Sequence, residues 1–293
     1  GENVQNTILN SAELDVFGYM VTIKKGKKKG EKEKGEKGGA LTRKAPIGMT
    51  KAVALEKWEG DTAFYANHDF VDRAKNQVKS ATPDPYNTEE HQTLYKFTLT
   101  IDLERIGKDE WAAKDIKDNK NIYKITLPLE NEVSVKKEIV KKEIKKGKIQ
   151  IKKNLLSFEV KDNEKKERIK DVLEAVRNGL YYHSSGESPG IVPLFLIAGI
   201  VKVPVPVFHS FVEVEFYRTN HRPKFKVKEE LLRKGLSNGW LEKGENEHPL
   251  VYIDTRDPET LTKEFIDENT AIKNWEDLLK ELFEEKHKRK SSV

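Results

Sequence analysis

Cationic side chains stand on both sides of a methionine in residues 41–55, LTRKAPIGMTKAVAL. Arg43, Lys44 and Lys51 carry positive charge that attracts phosphate groups, and Met49 places an unbranched apolar side chain between them. Proteins that bind single-stranded nucleic acid combine cations for the backbone with aromatic or apolar side chains for the bases. We therefore predict that the three cations contact phosphates and that Met49 inserts between bases. The alternative is that Met49 belongs to the core and that the cations are only solvated.

Positive charge is concentrated in two segments of this 293-residue chain, whose net charge is only +5. Residues 20–55 carry ten Lys and one Arg against three Glu, and residues 136–153 carry nine Lys against two Glu. The remainder of the chain is therefore acidic. Two basic segments on an acidic body indicate a polyanionic partner, although solvated lysine-rich loops produce the same composition.

Other kinds of functional site have little support in the sequence. The absence of Cys excludes a disulfide framework, a thiolate metal site and a Cys nucleophile. The seven His residues do not fall in a metal-ligand spacing, and there is no P-loop or dinucleotide-binding fingerprint, so we expect no cofactor. The run GESPG at 186–190 follows a predicted helix and precedes a predicted strand, which is the wrong order for a phosphate-binding turn. Its backbone amides could still bind a phosphate.

The overall composition indicates the setting in which the protein works. Charged residues make up 35% of the chain, mostly Lys and Glu, with two Met and no Cys, which favours a thermophilic source. No apolar run reaches the roughly 18 residues that a membrane span needs. No signal peptide is evident. We therefore expect a cytoplasmic protein with no membrane partner.

Hydrophobic periodicity predicts both strands and helices. Strands are predicted over 15–24, 94–103, 191–200 and 207–217, and helices over 163–180, 226–236 and 271–287. Residues 25–40 are almost entirely Lys, Gly and Glu and are predicted to form a mobile loop. Residues 136–146 fit either a short helix or an exposed hairpin. This order predicts an α+β protein with an antiparallel sheet and a large insertion between residues 21 and 93.

Five segments, taken together and in this order, resemble the DevR-type backbone proteins of type I Cascade complexes, part of the RAMP superfamily. The segments are DVFGYM (15–20), LTRKAPIGMTKAVAL (41–55), GDTAFYANHDF (60–70), NTEEHQTLYKFTLTIDLERIG (87–107) and GLYYHSSGESPGIVPLFLIAGI (179–200). They are spread over about two-thirds of the chain and surround a basic insertion.

The resemblance implies a single RAMP-type domain over residues 1–293. Residues 94–220 would form an RRM-like (ferredoxin-like) antiparallel palm sheet, residues 21–93 a long basic thumb insertion, and residues 221–293 a C-terminal helical part. Family members begin with a further stretch that supplies the first palm strand and helix. We therefore expect the natural protein to be longer than this chain.

The function implied by the resemblance is binding of CRISPR RNA without catalysis. Copies of the chain would assemble head-to-tail along the guide RNA and present it for pairing with target DNA. The protein would read backbone and shape, while base pairing reads sequence. The other implied partners are the remaining Cascade subunits, namely the large subunit and the subunit that caps the 5′ end of the guide.

The resemblance also implies a set of RNA-binding residues from three places. The thumb side supplies the cations Lys24, Lys25, Arg43, Lys44 and Lys51. It also supplies Met49, which would act as the wedge between bases. A palm strand beneath the guide supplies Phe17 and Tyr19, and a loop near the guide supplies His183, Ser184, Ser185 and Gly186.

Two other functions remain as alternatives. A RAMP-type ribonuclease could recruit Asp61 or Asp69 together with His68 to cut RNA. A DNA-binding regulator would read duplex DNA, but no helix-turn-helix spacing is evident and the positive charge lies in predicted loops rather than on a recognition helix.

Overall fold

The computed structural model describes residues 8–23, 39–60, 62–66, 71, 73, 75, 85–89, 91, 93–127, 132–141, 147–181, 190–219 and 222–290. The chain divides into two compact units, one formed by Gly1–Met49 with Leu99–Val293 and the other by Thr50–Thr98. Helices accompany strands that all pair antiparallel among the described residues, which confirms the predicted mixed α+β class. The assignment of one RAMP-type domain with three parts stays a prediction.

The helices and strands have the following bounds. The helices are α1 (Ala12–Phe17), α2 (Lys137–Lys141), α3 (Asp162–Asn178), α4 (Glu229–Leu236), α5 (Lys263–Asn269) and α6 (Trp275–Lys290). The strands up to residue 112 are β1 (Tyr19–Ile23), β2 (Gly39–Arg43), β3 (Ile47–Met49), β4 (Val53–Ala54), β5 (Thr62–Tyr65), β6 (Tyr86–Glu89), β7 (Tyr95–Lys96), β8 (Leu99–Ile101) and β9 (Lys108–Ala112). The later strands are β10 (Asp115–Asp118), β11 (Ile122–Thr126), β12 (Glu132–Lys136), β13 (Gly147–Lys152), β14 (Leu155–Val160), β15 (Leu180–Tyr181), β16 (Gly190–Ile191), β17 (Phe195–Gly199), β18 (Val214–Thr219), β19 (Arg222–Val227) and β20 (Val251–Thr255).

Two three-stranded sheets of the larger unit share one buried core. The first sheet has the order β13–β14–β9, and the second has the order β10–β11–β12. Because alternate residues of a strand point to the same face, Trp111, Leu156 and Phe158 of the first sheet enter one cluster with Ile125 and Val135 of the second. The hairpin of β1 and β2 packs against the same cluster through its partly buried side chains.

Further clusters hold the helices of the larger unit in place. Val16 of α1, Ile106 and Ile169 of α3 are buried together. In the C-terminal part, the pair β17–β20 supplies side chains to two clusters, one shared with α4 and α5 and one shared with α6. The described residues beyond 221 thus include strands β19 and β20 as well as three helices.

The predicted helices are confirmed, with shifted ends. Helix α3 matches the prediction over 163–180, and α6 matches the one over 271–287 with a later start. Helix α4 begins only at Glu229 because strand β19 continues to Val227. Of the two readings for 136–146, the short helix is confirmed over Lys137–Lys141, which form α2, whereas Lys136 ends β12.

The strand predicted over 15–24 is wrong in its first half. Residues 12–17 form α1, whose first turn is capped by the Ser11 hydroxyl accepting from the Leu14 N–H at 3.2 Å. The helix ends at Gly18, which has φ 70°, and the strand starts only at Tyr19. A serine cap and a glycine stop outweigh the β propensity of the aromatic and branched residues between them.

The other predicted strands are shorter than predicted. The prediction over 94–103 corresponds to β7 and β8, and the one over 191–200 to part of β16 and to β17. Residues 207–211 form turns, residues 212–213 have no regular secondary structure, and β18 starts at Val214. The predicted mobile loop at 25–40 lies, apart from its last two residues, outside the described residues.

One buried carboxylate joins four parts of the larger unit. Asp15 of α1 is 0% exposed. Its Oδ1 accepts from Nη2 of Arg43 at 2.6 Å and from the Gly107 N–H at 2.8 Å, and its Oδ2 accepts from Nη1 of Arg168 at 2.8 Å. A buried ion is stable only when it is paired and hydrogen-bonded, so this set, the Asp15 network, fixes α1, β2, the turn before β9 and α3 together. Oε1 of Glu164 accepts from Nη2 of Arg168 at 3.0 Å, and this second carboxylate balances the positive charge of the second guanidinium.

We predict that Asp15→Ala lowers the free energy of unfolding by about 3–5 kcal/mol, because it leaves two buried guanidinium groups without their carboxylate. Urea unfolding of the purified protein measures the change. The matched control is Asp267→Asn, which removes an exposed carboxylate that pairs with Lys273 at 2.9 Å and should leave stability near that of the wild type. Equal effects of the two substitutions would contradict the structural role of the network.

Candidate nucleic-acid interface

Gly18 brings two backbone segments into direct contact. A Cβ atom at Gly18 would lie 2.4 Å from the carbonyl oxygen of Arg43 and 2.7 Å from the amide nitrogen of Ala45. No side chain larger than hydrogen fits there, and the φ of 70° also favours glycine. The junction between α1 and β1 therefore lies against residues 43–45, which places the backbone of Phe17 near that of Lys44.

Arg105 joins these residues from a distant part of the sequence. Its Nη2 donates to the carbonyl oxygen of Lys44 at 2.7 Å, across a separation of 61 residues. Its own carbonyl oxygen accepts from Nη2 of Arg43 at 3.0 Å. Lys44 is exposed, Arg105 is partly exposed, and the side chain of Phe17 is 69% exposed. We call Phe17, Lys44 and Arg105 the Phe17 patch.

The Phe17 patch has the chemistry for a nucleotide. An exposed aromatic ring offers a stacking surface for any base, and such stacking contributes about 1–3 kcal/mol per base. A lysine ammonium provides a point charge for a phosphate, and an arginine guanidinium provides directed N–H donors. Both cations belong to backbone segments that the Asp15 network holds, so the backbone that carries the three groups is fixed.

Arg43 does not take the predicted role of a phosphate contact. It is 8% exposed, and its Nη2 donates to the side chain and the carbonyl oxygen of Asp15 as well as to Arg105. A guanidinium held in this way stabilises the interior and presents little surface to a ligand. The partly exposed Arg105 is instead the arginine of this region that a phosphate can reach. Sequence reasoning missed Arg105 because only the fold brings it to Lys44.

Tyr19 also has a structural role that the sequence did not predict. Its hydroxyl donates to Oδ2 of Asp109 at 2.6 Å and accepts from Nε1 of Trp111 at 2.7 Å. Burial, followed by the hydrogen bond to Asp109, raises the pKa of Tyr19 well above its usual range. The phenol therefore stays protonated at neutral pH and keeps donating to the carboxylate. Its predicted contact with RNA stays a prediction.

Met49 and Lys51 are both at the surface. Met49 ends β3 and is 69% exposed, so the alternative that it is a core residue is wrong. Exposure is the condition that an inserting side chain must meet. Lys51 is exposed within the smaller unit, Thr50–Thr98.

The smaller unit exposes aromatic side chains beside its cations. It consists of the antiparallel pairs β4–β7 and β5–β6 among the described residues. The rings of Trp58, Phe64 and Tyr95 are 42%, 69% and 47% exposed. The hydroxyl of Tyr95 donates to the carbonyl oxygen of His91 at 2.9 Å, which orients its ring. This unit therefore has the same combination of cations and exposed rings as the Phe17 patch.

Several predicted site residues lie outside the described residues. They are Lys24, Lys25, His183, Ser184, Ser185 and Gly186 of the RNA-binding set, and Asp61, His68 and Asp69 of the ribonuclease alternative. On either side of residues 182–189, Leu180 pairs with Ile191 and Tyr181 with Gly190. Within the part of the chain that the structure describes, no group of three or more His, Asp or Glu side chains is placed to hold a metal ion. No helix of that part is both long and apolar enough to cross a membrane.

Comparison with known proteins identifies one family. The family model described as "CRISPR-associated negative auto-regulator DevR/Csa2" matches residues 2–221. The CRISPR-associated protein Cas7/Cst2/DevR of Myxococcus xanthus (strain DK1622) is 30% identical over 106 residues, which are 36% of this chain and 32% of that protein. The match thus spans about a third of the length of this curated relative. No solved structure matches the chain. Since the family model covers most of the sequence, the chain belongs to the DevR/Csa2 family of CRISPR-associated proteins.

Proposed function

We propose that this chain is a CRISPR RNA-binding backbone subunit of a type I interference (Cascade) complex, and that it coats the guide RNA without cutting it. The observation that carries the proposal is the Phe17 patch, where an exposed ring and two cations stand on a rigid support. Membership of a CRISPR-associated family supports CRISPR RNA as the partner. The guide would then be presented for pairing with target DNA, with the large subunit and the 5′-capping subunit as further partners.

The proposal assigns roles to the parts of the fold. The sheet β13–β14–β9 with α3 forms the RRM-like palm, which carries the Phe17 patch at the start of β9. The unit Thr50–Thr98 forms the thumb, which contacts the guide through its exposed Lys51, Trp58 and Phe64. Met49, at the last position before this unit, is the wedge that displaces a base.

Head-to-tail assembly along the guide is supported by exposed apolar side chains at both ends of β17. Before the strand, Tyr181, Val192 and Leu194 are 78%, 60% and 40% exposed. After the strand, Val203 and Trp240 are each 48% exposed, and the Lys202 N–H donates to the carbonyl oxygen of Trp240 at 3.0 Å. Two different apolar surfaces on one molecule suit a heterologous contact, which repeats without closing.

The RNA-binding role predicts a loss of affinity when the exposed cations are reversed. We expect Lys44→Glu with Lys51→Glu to raise the Kd for single-stranded RNA by at least tenfold at low salt, because both cations are exposed and face phosphates in the proposal. Phe17→Ala should raise it by a factor of about 5 to 150, which corresponds to about 1–3 kcal/mol of stacking. Fluorescence anisotropy with a guide-length RNA measures both changes.

The control for this prediction is Lys263→Glu with Lys280→Glu, which makes the same change in net charge at exposed positions of α5 and α6. Affinity should fall much less in the control. Unfolding midpoints should match the wild type for all variants, since every substituted side chain is exposed. Equal losses of affinity in test and control pairs would show that only net charge matters.

The assembly role predicts that contacts between copies can be removed separately from RNA binding. We expect Tyr181→Ser with Val192→Ser, or Val203→Ser with Trp240→Ser, to reduce the number of copies on a guide-length RNA. Affinity for an oligonucleotide that holds one copy should stay unchanged. Native mass spectrometry counts the copies. An unchanged number of copies in both double variants would rule out these surfaces as the contacts between subunits.

A further inference from the structure

Five exposed lysines lie on the β13–β14 turn, on the link between β9 and β10, and on the β10–β11 pair of the larger unit. We call this set the lysine edge: Lys114, Lys117, Lys124, Lys152 and Lys153. Lys114 connects the two sheets. It follows β9 of the first sheet, and its N–H donates to the carbonyl oxygen of Thr126 in the second sheet. The preceding Ala113 N–H donates to the carbonyl oxygen of Asn154, at the β13–β14 turn.

Lys153 holds a backbone conformation that lysine disfavours. It stands at the tip of the β13–β14 hairpin, where Lys152 pairs with Leu155, and its φ is 52°. For a residue with a Cβ atom the left-handed region is strained, and glycine or asparagine is favoured there. A charged side chain in a strained position at an exposed tip is an outlier from which a functional role can be inferred.

Lys117 and Lys124 show a second unfavourable arrangement. They are directly opposite each other on neighbouring strands β10 and β11, and both are exposed. Like charges in that position repel. Asp115 offsets this repulsion only weakly. Its Oδ2 lies 3.8 Å from Nζ of Lys117, and both side chains are more than half exposed. Asp115 and Asp118 of β10 and Glu132 of β12 are acidic, and the lysines of the edge outnumber these residues.

The lysine edge is separate from the Phe17 patch. Arg105 precedes β9 and Lys114 follows it, so the two surfaces lie beyond opposite ends of this strand. Five residues of extended chain span about 17 Å. One nucleotide cannot reach both surfaces, whereas a strand of several nucleotides can.

We propose that the lysine edge is a second binding site, which takes the phosphodiester backbone of a nucleic acid. The site rests on the proposed function, in that the chain already holds RNA at the Phe17 patch. The backbone it contacts is either a further stretch of the same RNA or the strand paired with it. Negative phosphates between Lys117 and Lys124 offset their repulsion, and Lys153 supplies a further cation at the β13–β14 turn, which is hydrogen-bonded to Ala113 through Asn154.

The test uses substitutions for which a structural and a binding role predict opposite results. Lys153→Gly removes the strain, and Lys117→Gln with Lys124→Gln removes the repulsion, so neither should lower the unfolding midpoint. Both should raise the Kd for nucleic acid at least threefold. If the lysine edge contacts the RNA itself, the three changes combined should reduce the slope of log K against log salt on single-stranded RNA by about 2, since each phosphate contact contributes about 0.7.

Two matched controls separate binding from backbone and charge effects. Glu247→Gly relaxes the other described non-glycine residue with a positive φ, 62°, and should leave affinity unchanged. Lys263→Gln with Lys280→Gln removes the same charge from α5 and α6 and should change affinity little.

Each variant is titrated with a guide-length single-stranded RNA and with the same RNA paired to complementary DNA. A loss of affinity on both ligands assigns the lysine edge to the RNA itself, and a loss only on the hybrid assigns it to the paired strand. Affinities equal to those of the controls on both ligands overturn this inference alone, provided that the wild type binds RNA. A wild type that binds neither ligand overturns the proposed function together with it.

Discussion

The larger unit depends on how it satisfies the charge of one buried carboxylate. Asp15 has no contact with water, so its charge must be met by Arg43, Arg168 and the Gly107 N–H. These partners come from a strand, a helix and a turn that are far apart in the sequence. Because a buried carboxylate that loses a partner is destabilised, the network favours the arrangement of these elements in which all partners meet. The network thereby fixes the backbone on which the exposed side chains of the Phe17 patch stand.

This constraint divides the arginines and lysines of the region into two groups. Arg43 and Arg168 are interior groups, and their positive charge stabilises the fold. Lys44 and Arg105 stand on the same backbone segments and keep their charge accessible to a ligand. A buried frame beneath exposed cations is what binding by shape and backbone requires, since the contacts must recur at a fixed spacing whatever the base sequence. The lysine edge would extend this principle to the opposite end of β9.

The sequence predicts the classes of element better than their junctions. The α3 helix is evident from its periodicity, and the exposure of Lys44 and Lys51 follows from the basic character of their segment. The local pattern around Asp15 is misleading, because a serine cap and Gly18 convert the start of an apparent strand into a helix. Arg43 and Lys44 are neighbours of the same charge, and nothing local shows that one is buried and the other exposed. Arg105 meets Lys44 only in the folded chain, so its place in the site is a consequence of tertiary structure that periodicity and motifs do not contain.

Photo-crosslinking of a guide-length RNA to the purified protein, with the attached peptides identified by mass spectrometry, tests the central claim most directly. If the chain binds RNA as proposed, we expect crosslinks on the peptides that contain Phe17 and Lys44 and on peptides of the Thr50–Thr98 unit. We also expect loss of the Phe17 crosslink when Lys44 and Arg105 are replaced by Gln. Crosslinks concentrated on α5 and α6, with none on the segments around Phe17 and Lys44, would contradict the proposal.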